Sequence, residues 1–135
     1  RTIREVPMKL AELRGILQYV LQFRDKTFVL ALDGAVVGDD NFATLLLDVA
    51  LLRSVNIRVV LVHGAGQQIE ALAAARGVAA SDVDGAGVTD APTLDLAITA
   101  ATRVTHELLE GLAANDLRAA CANVITAYPV GILQG

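Results

Sequence analysis

Apolar residues recur at two different periods along the chain, and the change between these periods predicts the order of helices and strands. Three- and four-residue spacing predicts helices over residues 7–23, 42–55, 67–76 and 91–114. Short continuous runs of β-branched and aliphatic residues predict strands over residues 27–32, 57–62 and 123–127. The predicted order is therefore helix, strand, helix, strand, helix, helix, strand.

This order predicts an α/β domain. The first two strands enclose a helix, and such a unit is almost always right-handed with parallel strands. Parallel strands are buried on both faces, which suits their uninterrupted apolar runs. We therefore predict a three-layer sandwich with a mainly parallel sheet, preceded by an N-terminal helix. Three strands alone would leave two unpaired edges, so we expect more chain or a partner subunit to complete the sheet.

Single residues mark the ends of the predicted helices. Gly77 suits the left-handed position just after the third helix. Thr89 or Asp90 can cap the long last helix, whose first turn tolerates Pro92. The buried face of that helix is predicted to consist of Leu94, Ile98, Ala101, Leu108 and Leu112.

Composition and charge narrow the functional classes. The chain has 135 residues, 54% of them hydrophobic, and a net charge of −4, with no basic stripe that would indicate nucleic-acid binding. No apolar run approaches the roughly 20 residues that span a bilayer, and no signal peptide is evident, so we expect a cytoplasmic protein with no membrane contact. The single cysteine, Cys121, is predicted to be a small buried hydrophobic residue.

Two loops after the first two strands form the candidate ligand site. The first loop comprises residues 33–35 and the second loop residues 63–66. Both lie beyond the carboxyl ends of parallel strands, where α/β sheets bind ligands. Glycines allow close backbone approach, and free N–H groups at a helix start favour a phosphate or carboxylate. The candidate ligand-binding residues are Asp33, Gly34, His63, Gly64, Ala65 and Gly66.

Simpler explanations compete with this interpretation. A tight turn without a ligand explains the glycines equally well, and Asp33 is unfavourable to phosphate. His63 lacks an evident Ser or Asp partner and is predicted to be a packing residue, and His106 a surface or packing residue. Helix starts and turns explain the aspartates that could suggest a metal site, namely Asp39, Asp40, Asp82, Asp84 and Asp90. We expect no metal.

Four segments in order resemble the amino acid kinase family from Lys26 to Gly131: LALDGA, IRVVLVHGAGQQI, GVTDAPTLDLA and NVITAYPVGI. Acetylglutamate kinases read roughly KxGG, VHGGGPQI and RVTD at these places. The related synthases that make N-acetylglutamate read roughly VHGARPQI, RVTDAxTLELA and NxVTAxPxGV. The segments from Thr89 to Ala97 and from Asn123 to Gly131 are more similar to those of the synthases.

The resemblance implies the N-terminal half of an amino-acid-kinase (carbamate-kinase-like) fold, whose first half binds the acidic substrate and whose second half binds ATP. Residues 26–135 would form this partial domain. Residues 1–25 would form an extra helix of the kind that links subunits in some arginine-regulated members, so a homo-oligomer is expected.

The departures from the kinase pattern imply that phosphoryl transfer is absent. The lysine that steadies the transferred group in the kinases falls at Ala31, and the first glycine of that loop falls at Asp33. The arginine that holds the substrate carboxylate falls at Gly87. Phosphoryl transfer depends on such positive groups. We therefore assign no catalytic residues to the chain.

Three functions remain open. The first is a kinase-like regulatory and assembly domain of a synthase. In such a synthase a separate acetyltransferase domain would use acetyl-CoA and glutamate, and arginine would regulate the whole protein. This chain alone would be inactive and would hold no cofactor. The second is a diverged acetylglutamate kinase that uses ATP, Mg and N-acetylglutamate. The third is a stand-alone module that dimerises through its open sheet edge and N-terminal helix.

Overall fold

The computed structural model describes residues 10–81 and 89–122. The elements in chain order are α1 (Leu10–Phe23), β1 (Thr27–Leu32), a short 3-10 helix (Gly34–Gly38), α2 (Phe42–Ser54), β2 (Arg58–His63), α3 (Gly66–Arg76) and α4 (Ala91–Ala114). The predicted bounds agree with these to within one residue wherever both can be compared. Residues 7–9 of the first predicted helix and the predicted strand at 123–127 lie outside the described residues.

The two strands pair in parallel, from Thr27 opposite Arg58 to Leu32 opposite His63. This pairing confirms the predicted α/β class with a parallel sheet. At the entry to the strands, Asp25 and Asn56 both adopt positive φ, 65° and 64°, and the Asn56 side-chain amide donates a hydrogen bond to the Asp25 carboxylate. This contact fixes the two turns to one another and holds the strands in register.

The prediction that the strands are buried on both faces is wrong for the described part of the chain. Leu30 and Leu61, which lie opposite one another, pack against the core. The alternate residues are exposed, namely Val29, Ala31, Val60 and Val62. Continuous apolar runs indicate cover on two faces, whereas the described helices that pack on the strands do so on one face only.

The core consists of two clusters that share one helix. In the first cluster Ala100, Val104 and Leu108 of α4 pack with Ala65 of the second loop. In the second cluster Leu112 of α4 packs with buried leucine and valine side chains of α2. Since α4 has 24 residues, it extends about 36 Å and crosses both clusters. It therefore contributes buried residues to both clusters.

The predicted buried face of α4 is partly wrong. Leu108 and Leu112 are buried and Ala101 is half-buried, but Leu94 and Ile98 are 52% and 59% exposed. The buried positions of α4 are Thr93, Leu96, Ala100, Val104, Leu108 and Leu112. The helix carries two apolar stripes with equally good helical spacing, and only packing against the rest of the domain selects one of them.

The ends of α3 and α4 follow the predicted capping chemistry. Gly77 adopts the left-handed conformation with φ 63° just after α3. Asp90, rather than Thr89, caps α4, since its carboxylate accepts a hydrogen bond of 2.8 Å from the N–H of Thr93. Hydrogen bonds from the side chain and the backbone of Thr93 lower the pKa of Asp90. The cap is therefore strongest when this carboxylate is ionised.

Cys121 and His106 both lie on the surface of the described structure. Cys121 is exposed, so the prediction of a buried cysteine is wrong, because the segment after α4 does not turn this residue into the core. His106 is exposed and lies 3.2 Å from the carboxylate of Glu110 one turn later, which agrees with a surface role. Within residues 10–81 and 89–122, no helix is both long enough and apolar enough to cross a membrane.

The two stripes of α4 give a matched pair of variants. Leu96→Ala is expected to lower the free energy of unfolding by about 2–5 kcal/mol, because it leaves a cavity in the core. Leu94→Ala is expected to change it by no more than about 0.5 kcal/mol, since Leu94 is 52% exposed whereas Leu96 is 1% exposed. Urea unfolding measures both, and equal losses in the two variants would contradict the assigned face.

The Asp90 cap predicts a specific acid response. Because the folded pKa lies below the ordinary value of 3.8, the contribution of the cap is fully present above that value and is lost as the pH falls through the folded pKa. Asp90→Asn, which retains a capping oxygen, is expected to keep the melting temperature at neutral pH and to reduce its acid-induced fall. Asp90→Ala is expected to melt at a lower temperature throughout. An acid profile of Asp90→Asn that matches the unmodified protein would refute this role of the carboxylate.

Candidate functional site

The structure brings the first loop and the second loop into direct contact. Gly34 is buried, and a Cβ atom at this position would overlap with the carbonyl oxygen of Gly64 and lie 2.9 Å from the Cα of Ala65. No real Cβ contact is that close, so only glycine permits this approach without displacing backbone. The sequence prediction that the two loops share one end of the sheet is therefore confirmed.

Gln68, which sequence reasoning did not select, links the two loops. Its Nε2 donates a hydrogen bond of 2.7 Å to the carbonyl oxygen of Gly34. Its Oε1 is buried and has no hydrogen-bond partner among the described residues. Side chains in a first helical turn point back toward the N-terminus. Gln68 lies two residues after Gly66, in the first turn of α3. This position was the sequence signal that could have placed its side chain near the loops.

Asp33 has a local structural role. Its Oδ1 accepts a hydrogen bond of 2.9 Å from the N–H of Ala35 and caps the 3-10 helix. The carboxylate is exposed and contributes negative charge at the mouth of the first loop. The N–H of Gly64 donates to the carbonyl of Leu32 at 3.0 Å, which extends the strand pairing into the second loop.

His63 joins the second loop to the centre of α4. Its Nε2 lies 2.8 Å from the Oγ1 of Thr105, and its Nδ1 lies 3.1 Å from the carbonyl oxygen of Gly64. No Ser or Asp is its partner among the hydrogen bonds of the described residues, which agrees with the predicted packing role. Thr105 was not foreseen because it lies 42 positions away along the chain.

The start of α3 provides the polar backbone groups of the site. Ala65 precedes the helix and supplies no side-chain cap to its first N–H groups, and Gly66 begins the helix. Uncapped N–H groups at a helix start attract anions. Neither loop contains a lysine or an arginine. The arrangement is therefore suited to binding a small ligand through the backbone.

The two positions at which the resembling kinases carry a lysine and an arginine are Ala31 and Gly87 in this chain, and neither residue carries a charge. Ala31 lies on the exposed face of β1, opposite Val62. Gly87 lies outside the described residues, as do Asp82 and Asp84.

The described residues also lack a metal site. They contain no group of three or more His, Cys, Asp or Glu side chains that could hold a metal ion. The Asp39 carboxylate instead accepts hydrogen bonds of 2.7 and 2.8 Å from the backbone and side chain of Asn41. The sequence predicted this role in a turn for Asp39.

Relatives in sequence carry the name amino-acid acetyltransferase. The protein of Pseudomonas aeruginosa is 42% identical over 132 residues, which cover 91% of this chain and 31% of the relative. The protein of Ectopseudomonas mendocina is 39% identical over the same shares of both chains. The chain therefore spans about a third of the length of these relatives.

Two solved structures of N-acetylglutamate synthase from Neisseria gonorrhoeae share the fold. The complex with coenzyme A and N-acetyl-glutamate has a TM-score of 0.75 and 31% identity, over 94% of this chain and 30% of that chain. The complex with coenzyme A and L-arginine has a TM-score of 0.72 and 30% identity, over 94% and 32% of the two chains.

The sequence profile of the amino acid kinase family matches residues 26–134, which is most of the chain. The match begins at the residue before β1 and includes both loops, α3 and α4. The profile and the parallel α/β fold with its paired loops agree with the four motifs recognised in the sequence. The chain belongs to the amino acid kinase family.

Proposed function

We propose that the chain is part of the kinase-like regulatory and assembly domain of an N-acetylglutamate synthase and does not itself transfer phosphate. The observation that carries this proposal is the joint similarity in sequence and fold to acetyltransferases and synthases of this kind. The whole protein would be a transferase that moves an acetyl group from acetyl-CoA to the amino group of glutamate. Arginine would act as a regulator.

The chemistry of the two loops supports a role without phosphoryl transfer. The transferred phosphoryl group carries negative charge that kinases stabilise with cations. The first loop instead presents the exposed Asp33 carboxylate, and Ala31 offers no charge. The remaining donors are backbone N–H groups, which can bind an anion but replace only part of a missing lysine.

We further propose that the paired loops form a small-molecule site for an acidic amino acid such as glutamate or N-acetylglutamate. The residues involved would be Asp33, Gly34, His63, Gly64, Ala65 and Gly66, with Gln68 holding the loops together. The N–H groups at the start of α3 suit a carboxylate. Residues 1–25 would contribute to a homo-oligomer, and the exposed Tyr19 and Leu21 of α1 support such a contact.

A diverged acetylglutamate kinase is the second candidate. The retained His63, Gly64 and Gly66 and the Thr89-Asp90 pair favour it, because acetylglutamate kinases read roughly VHGGGPQI and RVTD at these places. This candidate would use ATP and Mg on N-acetylglutamate. It differs from the main proposal in the reaction that the complete protein carries out.

Assays of the complete protein distinguish the candidates. We expect acetyl transfer from acetyl-CoA to glutamate and no ATP turnover with N-acetylglutamate. Ala31→Lys should not create such turnover, because a single lysine on the open face of β1 does not restore the other missing charges. ATP turnover in the complete protein, or its rise in Ala31→Lys, would favour the kinase. An intact native mass near 14.1 kDa would instead favour the stand-alone module.

The close approach at Gly34 supplies a test of the ligand site. Gly34→Ala is expected to cost about 1–3 kcal/mol in stability, because the added methyl group overlaps with backbone of the second loop. It should also abolish most of the rise in melting temperature that glutamate or N-acetylglutamate causes by binding. Differential scanning fluorimetry of the complete protein measures both effects.

Gly38→Ala is the matched control, because a Cβ atom at Gly38 has no neighbour within 4 Å. It should change the stability by no more than about 0.5 kcal/mol and leave the ligand response intact. An undiminished ligand response in folded Gly34→Ala would place the ligand elsewhere.

A further inference from the structure

Four exposed cationic residues lie at the amino ends of the two strands, at the opposite end of the sheet from the paired loops. These residues, here called the amino-end cluster, are Arg24, Lys26, Arg53 and Arg58. The first two belong to the turn that leads into β1, and the last two flank the turn that leads into β2. The N–H of Arg58 donates a hydrogen bond of 2.8 Å to the carbonyl oxygen of Lys26, so the two turns are adjacent.

Backbone carbonyl oxygens hold two of the guanidinium groups in place. Nη2 of Arg58 donates a hydrogen bond of 2.8 Å to the carbonyl oxygen of Asp25. Nη1 of Arg53 donates one of 2.9 Å to the carbonyl oxygen of Ile57. A guanidinium group has five N–H donors, and a neutral carbonyl oxygen does not cancel its charge. Both groups therefore keep a positive charge that a ligand can use.

The carboxylates of the described residues leave the amino-end cluster with an excess of positive charge. Within residues 10–81 and 89–122, neither of the two ion pairs involves a residue of the cluster. Asp25 is the acidic residue of the two turns, and its carboxylate accepts a hydrogen bond from the side chain of Asn56. The cluster is thus positive although the whole chain has a net charge of −4.

A groove of about 390 Å³ opens beside the cluster. This volume falls within the range of about 300–1,000 Å³ that is typical of small-molecule sites. The groove is lined by Val20, Leu21, Arg24, Ser54, Val55 and Asn56. Its wall is therefore largely apolar, while Arg24 places a cation of the cluster at its edge.

We propose that the groove and the amino-end cluster bind a nucleoside polyphosphate. The phosphates contact the cations, and the flat base lies against Val20, Leu21 and Val55. Guanidinium groups match the oxygens of a phosphate in bidentate geometry. A polyphosphate brings several negative charges close together, which suits four cations better than a single carboxylate does. The site is remote from the paired loops and does not depend on the function proposed for them.

Calorimetric titration of the complete protein with ATP tests the proposal. Saturating coenzyme A is included, so that a site for acetyl-CoA elsewhere in a synthase is already filled. We expect ATP to bind, inorganic triphosphate to bind about threefold or more weakly because it lacks the base, and adenosine to give no heat. Absence of ATP binding, or adenosine binding as tightly as ATP, would overturn the proposal.

Charge-removing variants locate the binding. Arg24→Gln combined with Arg58→Gln is expected to weaken ATP binding about tenfold or more, since two charge-assisted contacts are lost. Arg24→Gln alone leaves the bond from Arg58 to Asp25 in place and should weaken binding about threefold, which keeps the test open if the double variant does not fold. Arg103→Gln, which removes an exposed cation of α4, is the matched control and should not change the affinity. Equal affinity in folded Arg24→Gln and Arg103→Gln would overturn the site.

Asp25→Asn tests the same site in the opposite direction. Asparagine tolerates the positive φ of 65° at this position and keeps an acceptor for Asn56, but it removes the negative charge beside the phosphates. ATP should bind about two- to fivefold more tightly to this variant at low salt. Unchanged or weaker binding would contradict the placement of the phosphates. Acetyl transfer and the response to glutamate should persist in all of these variants, so this proposal and the proposed function fail separately.

Discussion

The contact of Gly34 with the second loop is the constraint on which the rest of the described structure depends. A side chain at this position would overlap with the backbone of Gly64 and Ala65. With only a hydrogen there, the two loops close together and Gln68 bonds across them at 2.7 Å. The 3-10 helix that starts at Gly34 can then contact α2, α3 and α4. A small residue thus decides how the helices are arranged around the strand ends.

The strands are fixed at both ends by different means. At their start, Asp25 and Asn56 in left-handed conformation join the two entering turns through side-chain and backbone hydrogen bonds. At their carboxyl ends the loops meet through glycine and glutamine. Between these ends, α4 packs along one face and buries both core clusters. The second loop is consequently supported by the strand pairing that precedes it and by α4 beside it, through the buried Ala65 and the half-buried His63.

The sequence predicted those features that depend on neighbours along the chain. The bounds of the strands and helices follow from the period at which apolar residues recur. The end of α3 at Gly77 and the start of α4 at Asp90 follow from local capping. It did not predict which apolar stripe of α4 is buried, because Leu94 and Leu96 are equally apolar and only tertiary packing separates them. The contacts of Gln68 and Thr105 could not be foreseen either, since each joins residues more than 30 positions apart.

The groups that shape the site differ from the groups that phosphoryl transfer would need. The parts of the site that specify the fold are Gly34, the glycines of the second loop, backbone N–H groups and the side-chain amide of Gln68, and the chain has all of them. The parts that would stabilise a transferred phosphoryl group are cations, and neither loop has a lysine or an arginine. Because the glycine contact does not depend on those charges, phosphoryl transfer can be lost while the contact between the two loops is kept. Paired loops that lack such cations are suited to binding a ligand without phosphoryl transfer, which is the role we propose for them in a synthase.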